Sequence, residues 1–130
     1  MNLFIYLQIM ELPEDVKFSN PIIPYIKEHT ENTIIYDLDN HSDSLILGYV
    51  NKLFMDSENT LIYIDTNLNC NFSKLIPFFT NILDNPKGTK IILHGDNTRL
   101  EKMISILPHL KNPENTYELE QIVQFFAKIF

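Results

Sequence analysis

The chain has 130 residues, 45% of them apolar, with 17 acidic against 10 basic side chains and a net charge of −7. That length suits about one domain, residues 1–130, able to bury its own core without disulfide or metal staples. The basic residues are scattered singly, which argues against nucleic acid and against an anionic membrane surface, since both need clustered cations.

Cys70 is the lone cysteine and has no partner thiol for a disulfide or a Cys-x-x-Cys site, so a reducing cytoplasm is the expected compartment. Met1 to Met10 is apolar but lacks a basic leader and runs into acidic residues and Pro13. It reads as a buried strand, neither a signal peptide nor a spanning helix. The abundance of asparagine and isoleucine reads as base composition rather than function.

In chain order, Leu3 to Met10 is the first expected strand, ended by the acidic loop Glu11-Leu12-Pro13-Glu14-Asp15. Asn20 and Pro21 have the form of a helix cap followed by a first-turn proline, and Ile22, Ile23 and Ile26 give that helix an apolar stripe up to about His29. Thr33 to Tyr36 is the second strand, closed by the polar run from Asp37 to Ser42. A second helix carries Leu45, Ile46, Tyr49, Val50, Leu53 and Phe54 at helical spacing.

Thr60 to Asn67 is the stretch that organises the rest. Its apolar run from Leu61 to Ile64 has no polar face, as in a strand covered on both sides, and it stops at Asp65. A third helix follows over Leu75, Ile76, Phe79, Ile82 and Leu83, and Asp84 to Gly88 is a stop-and-turn signal. Lys90 to Leu93 is the fourth strand, and Thr98-Arg99-Leu100-Glu101 has the pattern of a capping box opening a fourth helix through about Leu107 or Leu110. A short fifth strand is expected between Leu110 and Tyr117 only at an edge, because Pro113 forbids a central place, and Glu118 to Phe130 reads as a closing helix.

Strands alternating with helices of this length predict a three-layer α/β/α domain around a parallel sheet of four or five strands, in the flavodoxin-like order 2-1-3-4-5. Ligands in such sheets gather at the carboxyl ends of the strands. With glycine only at 48, 88 and 95, no phosphate-cradling Gly-rich loop can be written, and no serine stands in a Gly-x-Ser-x-Gly elbow. What remains at the strand ends is a set of carboxylates.

Asp65 is the first candidate, expected to be partly exposed at the end of a central strand on the same edge as Glu11 and Asp37. Glu11, Glu14 and Asp65 are the residues that would hold Mg²⁺ if the first and third strands adjoin. The same residue types also serve as caps and turn formers in strand-to-helix loops. His94 sits where a general base could act, although no nucleophile is paired with it by spacing, and His41 is placed similarly between Asp39 and Asp43. Cys70 follows a strand and precedes an expected helix, an environment that lowers a thiol pKa, and the reading preferred for it is a structural cysteine.

Leu61-Ile62-Tyr63-Ile64-Asp65, together with Lys111 and Pro113 before the final helix, resembles response-regulator receiver domains, and the order of elements is similar over nearly the whole chain. The resemblance implies a flavodoxin-like fold and Asp65 as phosphoacceptor. The chain departs from that pattern in having Glu11 alone at the end of the first strand, His94-Gly95 where the family has serine or threonine, and Asn112 between Lys111 and Pro113.

Two functions are therefore expected. The first is a non-catalytic regulatory or protein-interaction module, a receiver-like domain without acceptor chemistry, that binds an unidentified protein and needs no cofactor. The second is a Mg²⁺-dependent phosphoacceptor or small hydrolase using Asp65 with Glu11 or Glu14 and His94. A homodimer through the last two helices is also expected, because Ile106 and Phe125 widen their apolar stripes beyond what a helix on a sheet buries.

Overall fold

The computed structural model describes residues 2–17, 22–86 and 88–111. Its strands are β1 (Asn2–Ile9), β2 (Thr33–Asp39), β3 (Asn59–Thr66), β4 (Thr89–His94) and β5 (His109–Lys111). All pair in parallel, in the order β2-β1-β3-β4-β5. The helices are α1 (Ile22–His29), α2 (Ser44–Asp56), α3 (Ile76–Asp84) and α4 (Thr98–Ile104), with single 3₁₀ turns at Pro13–Asp15 and Ser73–Leu75. This is the flavodoxin-like arrangement. Among the described residues no helix is long and apolar enough to cross a membrane.

Strand alternation divides the core in two. Leu3, Ile5, Leu7 and Ile9 of β1 point with Ile62, Ile64, Ile91 and Leu93 into the larger cluster, which α2, α3 and α4 cover with Val50, Phe54, Phe78, Phe79 and Leu100. Phe4, Tyr6, Leu61, Tyr63 and Ile92 point the other way, onto Ile22 and Ile26 of α1. The central strands β1 and β3 are apolar on both faces because both faces are covered.

Several elements differ from the sequence reading. β2 continues through Asp37 and Leu38 to Asp39, and Leu38 is buried between its two exposed or half-exposed neighbours. The run read as a loop is the alternating end of an edge strand. α2 buries Val50 and Phe54 but leaves Leu45 and Tyr49 in solvent, so its stripe is narrower than the apolar spacing suggests. α4 stops at Ile104, and its cap is Asn97, whose Oδ1 accepts from the Leu100 N–H at 3.2 Å, instead of Thr98.

Leu110 belongs to β5, packed on the α1 side of the sheet, and not to the α4 stripe. β5 itself is three residues at the edge beyond β4. The Asn20–Pro21 cap, Pro113, the closing helix Glu118 to Phe130 and Phe125 lie outside the described residues.

Candidate functional site

The carboxyl edge of the sheet is held together by amides. The Glu11 N–H donates to Asn67 Oδ1 at 2.9 Å, and the Asn67 N–H donates to the Ile9 carbonyl at 3.0 Å, which locks the exits of β1 and β3 to each other. Asn40, buried beyond the end of β2, accepts the Met10 N–H on Oδ1 and donates through Nδ2 to the carbonyls of Met10 and Asn71, at 2.9, 2.9 and 3.2 Å. His41 Nε2 lies 2.9 Å from the same Met10 carbonyl, and since a carbonyl only accepts, that nitrogen carries the proton.

A second knot joins the loops after β3 and β4. The Asn69 N–H donates to the Asp96 carbonyl at 2.9 Å and its Oδ1 receives the Thr98 N–H at 3.0 Å, with Asn69 in the left-handed region at φ 49° that asparagine tolerates. Asn97 Nδ2 donates to the Cys70 carbonyl at 2.9 Å.

Register places the titratable candidates. Asp39, Gln8, Asp65 and His94 are partners in turn across β2, β1, β3 and β4, so they form one row on the face that α1 covers. Asp37, Tyr6 and Tyr63 form the next row inward. Asp65 is partly exposed at the penultimate position of β3, and Tyr6 donates to its Oδ2 across a long 3.4 Å. The Tyr6 and Tyr63 rings stack with centroids 5.4 Å apart. Burial, then the Asp65 charge, pushes the Tyr6 phenol well above its usual pKa. Loss of water, then Asp39, likewise pushes the Asp37 carboxyl up.

The row is interrupted at its middle. Gln8 is fully buried, and its amide clamps the main chain of Lys17 through two 2.8 Å bonds. Asp39 and Asp65 are therefore two strands apart, with the Gln8 position between them.

Glu11 and Glu14 are exposed and outside this row. Glu11 lines a cleft of about 460 Å³ with Asn40, His41 and residues 68–74, near enough to Cys70 that, after burial, its charge helps to raise the thiol pKa. Burial and the carboxylate thus outweigh any lowering by a helix terminus.

Among the described residues, no three His, Cys, Asp or Glu side chains group so that they could hold a metal ion. Glu11, Glu14 and Asp65 are accordingly not gathered into the set expected from sequence. The strands bring together Asp65 and His94, side by side on β3 and β4.

Lys111 is in register with Leu93, on the face opposite Asp65, and its Nζ pairs with Asp96 at 3.1 Å and with Glu101. These two carboxylates hold the ammonium pKa up, the Glu101 bond most. Ile106 is 76% exposed on the turn after α4. No family model matches the chain, and no curated protein or solved structure is similar to it at a significant level.

Proposed function

We propose that the chain is a non-catalytic regulatory or protein-interaction module on a receiver-like frame. One observation carries this reading: the side chains that receiver-type phosphoryl transfer would use are divided between the two faces of the sheet and engaged there. Asp65 faces the α1 side with Tyr6, Lys111 faces the other side with Asp96 and Glu101, and Glu11 is turned to the Cys70 cleft. Phosphoryl transfer depends on positioning and charge stabilisation at one point, which this division does not supply.

The second reading, a Mg²⁺-dependent phosphoacceptor or hydrolase, draws on the adjacency of Asp65 and His94. Incubation with acetyl phosphate and Mg²⁺, followed by intact-mass measurement, separates the two. The interaction module gains no phosphoryl group. A phosphorylated species that disappears in Asp65→Asn would establish the second reading instead.

A further inference from the structure

β2 is an outer strand: β1 pairs with one of its sides, and no described element pairs with the other. Just past its end the Asn40 N–H donates to the Gln8 carbonyl at 3.1 Å, which fixes the direction of the main chain there. That direction alternates along a strand. Ile34, Tyr36 and Leu38 therefore turn their N–H and C=O groups towards β1, whereas Ile35, Asp37 and Asp39 turn theirs outward.

Ser42 closes the outward groups of Asp39. Its Oγ accepts the Asp39 N–H and its own N–H donates to the Asp39 carbonyl, both at 3.2 Å. Among the described residues nothing does the same for Ile35 and Asp37, so their donors and acceptors stand open in the middle of the strand. Proline and lysine, common guards of a free edge, do not occur in Thr33–Asp39.

An open edge of this kind accepts another strand, and the side chains beside it decide which kind. Asp37 and Asp39 share one face of β2, and Ile34 and Tyr36 share the other. A second β2 added in antiparallel would crowd the carboxylates of both copies onto one face, and each copy carries a net charge of −7. A segment with cations at alternate positions instead sets positive charge beside Asp37 and Asp39 and lays its apolar side chains against Ile34 and Tyr36. Burial and then Asp39 already push the Asp37 carboxyl pKa up, and a cation beside it relieves that repulsion.

We infer that the outer edge of β2 binds an extended peptide segment of alternating basic and apolar side chains, which joins the five-stranded sheet as a further strand beside Ile35 and Asp37. The inference names a partner class for the interaction reading and rests on it. A gain of mass with acetyl phosphate strikes the interaction reading, whereas an edge that takes no peptide strikes this inference alone, so the two failures are distinguishable.

The probe is a capped peptide of alternating lysine and valine, as long as β2, added to the isotope-labelled chain while amide exchange is followed. An N-methylated version of it and one with glutamate in place of lysine are the controls, and sedimentation velocity reports the mass of the chain alone. The Ile35 and Asp37 amides exchange freely in the chain alone and slow at least about tenfold at saturating peptide, while the Ile34, Tyr36 and Leu38 amides are slow throughout. Added salt weakens binding, and so does combining Asp37→Asn with Asp39→Asn, by at least about threefold. Both substitutions keep Oδ1, so the bond from the His41 N–H to Asp39 survives.

Ile35 and Asp37 amides that are already slow without peptide overturn the inference: in a monomer the chain itself covers the edge, and in a dimer a second copy does. A lysine peptide that slows neither amide overturns it too. Equal binding of the N-methylated peptide would mean attachment by charge without a new strand, and equal binding of the glutamate peptide would remove the charge argument; either result is fatal to the inference.

Discussion

Asn40 shows how the strand-end loops use their polar side chains. Both ends of its amide are bonded to main chain from two other loops, and the residue is buried. Asn40→Ala leaves the Met10 N–H without its acceptor and the Met10 and Asn71 carbonyls each without one donor, at a cost of about 2 kcal/mol. A urea melt checks it, and a change under about 0.5 kcal/mol would mean that water replaces the amide without loss.

Asp37 titrates in the opposite sense to a paired carboxylate. Its pKa is raised, so the folded chain holds the proton more firmly than the unfolded chain does. Stability is thus lost as pH rises from the ordinary carboxylate range through the raised value, and the penalty persists at neutral pH. Asp37→Asn is expected to melt above the parent at neutral pH, and the gap should close in acid below the ordinary carboxylate range. Melting temperatures across that range test this; a gap independent of pH would remove the electrostatic account.

The individual asparagines were legible as residues and not as a network. Asn40, Asn67, Asn69, Asn71 and Asn97 all follow strands, and each bonds backbone in a strand-end loop. Composition alone reads them as background. Their position, directly after apolar runs, was the signal that could have found them.

At the scale of elements, β2 and α2 were misread for one reason: both lie at the edge of the sheet. An edge strand is wetted, so Asp37 and Asp39 look like loop residues although Leu38 between them keeps the period of two. A helix over that edge has less sheet to cover, so half of its apolar residues stay outside. Periodicity reports which residues could be buried together; it does not report how wide the neighbouring surface is.

The glycines of the two loop-and-helix settings give contrasting expectations. Gly95 has φ 106°, and a Cβ there would stand 2.2 Å from the Thr66 carbonyl oxygen, so Gly95→Ala should cost about 2 kcal/mol or more and loosen the β3 and β4 ends together. Gly48→Ala, where the added Cβ meets nothing within 4 Å, should add about 0.5–1 kcal/mol. Equal effects of the two in denaturant melts would contradict the distinction between a required and an unrequired glycine.

Over the whole molecule, the parallel sheet and its order were legible because β1 and β3 are apolar on both faces, which only a covered, central strand tolerates. The strand-end carboxylates were legible as positions along the chain. Their grouping was not, because it depends on parity: Asp65, two residues after Tyr63, shares the tyrosine face, whereas Glu11 falls past the end of β1, where the pleat no longer dictates direction. One residue more or less in either strand would have changed which carboxylates face each other.

The most direct test of this division is a Mg²⁺ titration of the isotope-labelled chain, following the amides of Glu11, Asp65 and His94. The division predicts weak, unsaturated shifts at each, as for separate surface carboxylates. Saturation at millimolar Mg²⁺, with Glu11 and Asp65 moving on one binding curve that Asp65→Asn abolishes, would show that the two gather into a cation site and would contradict it.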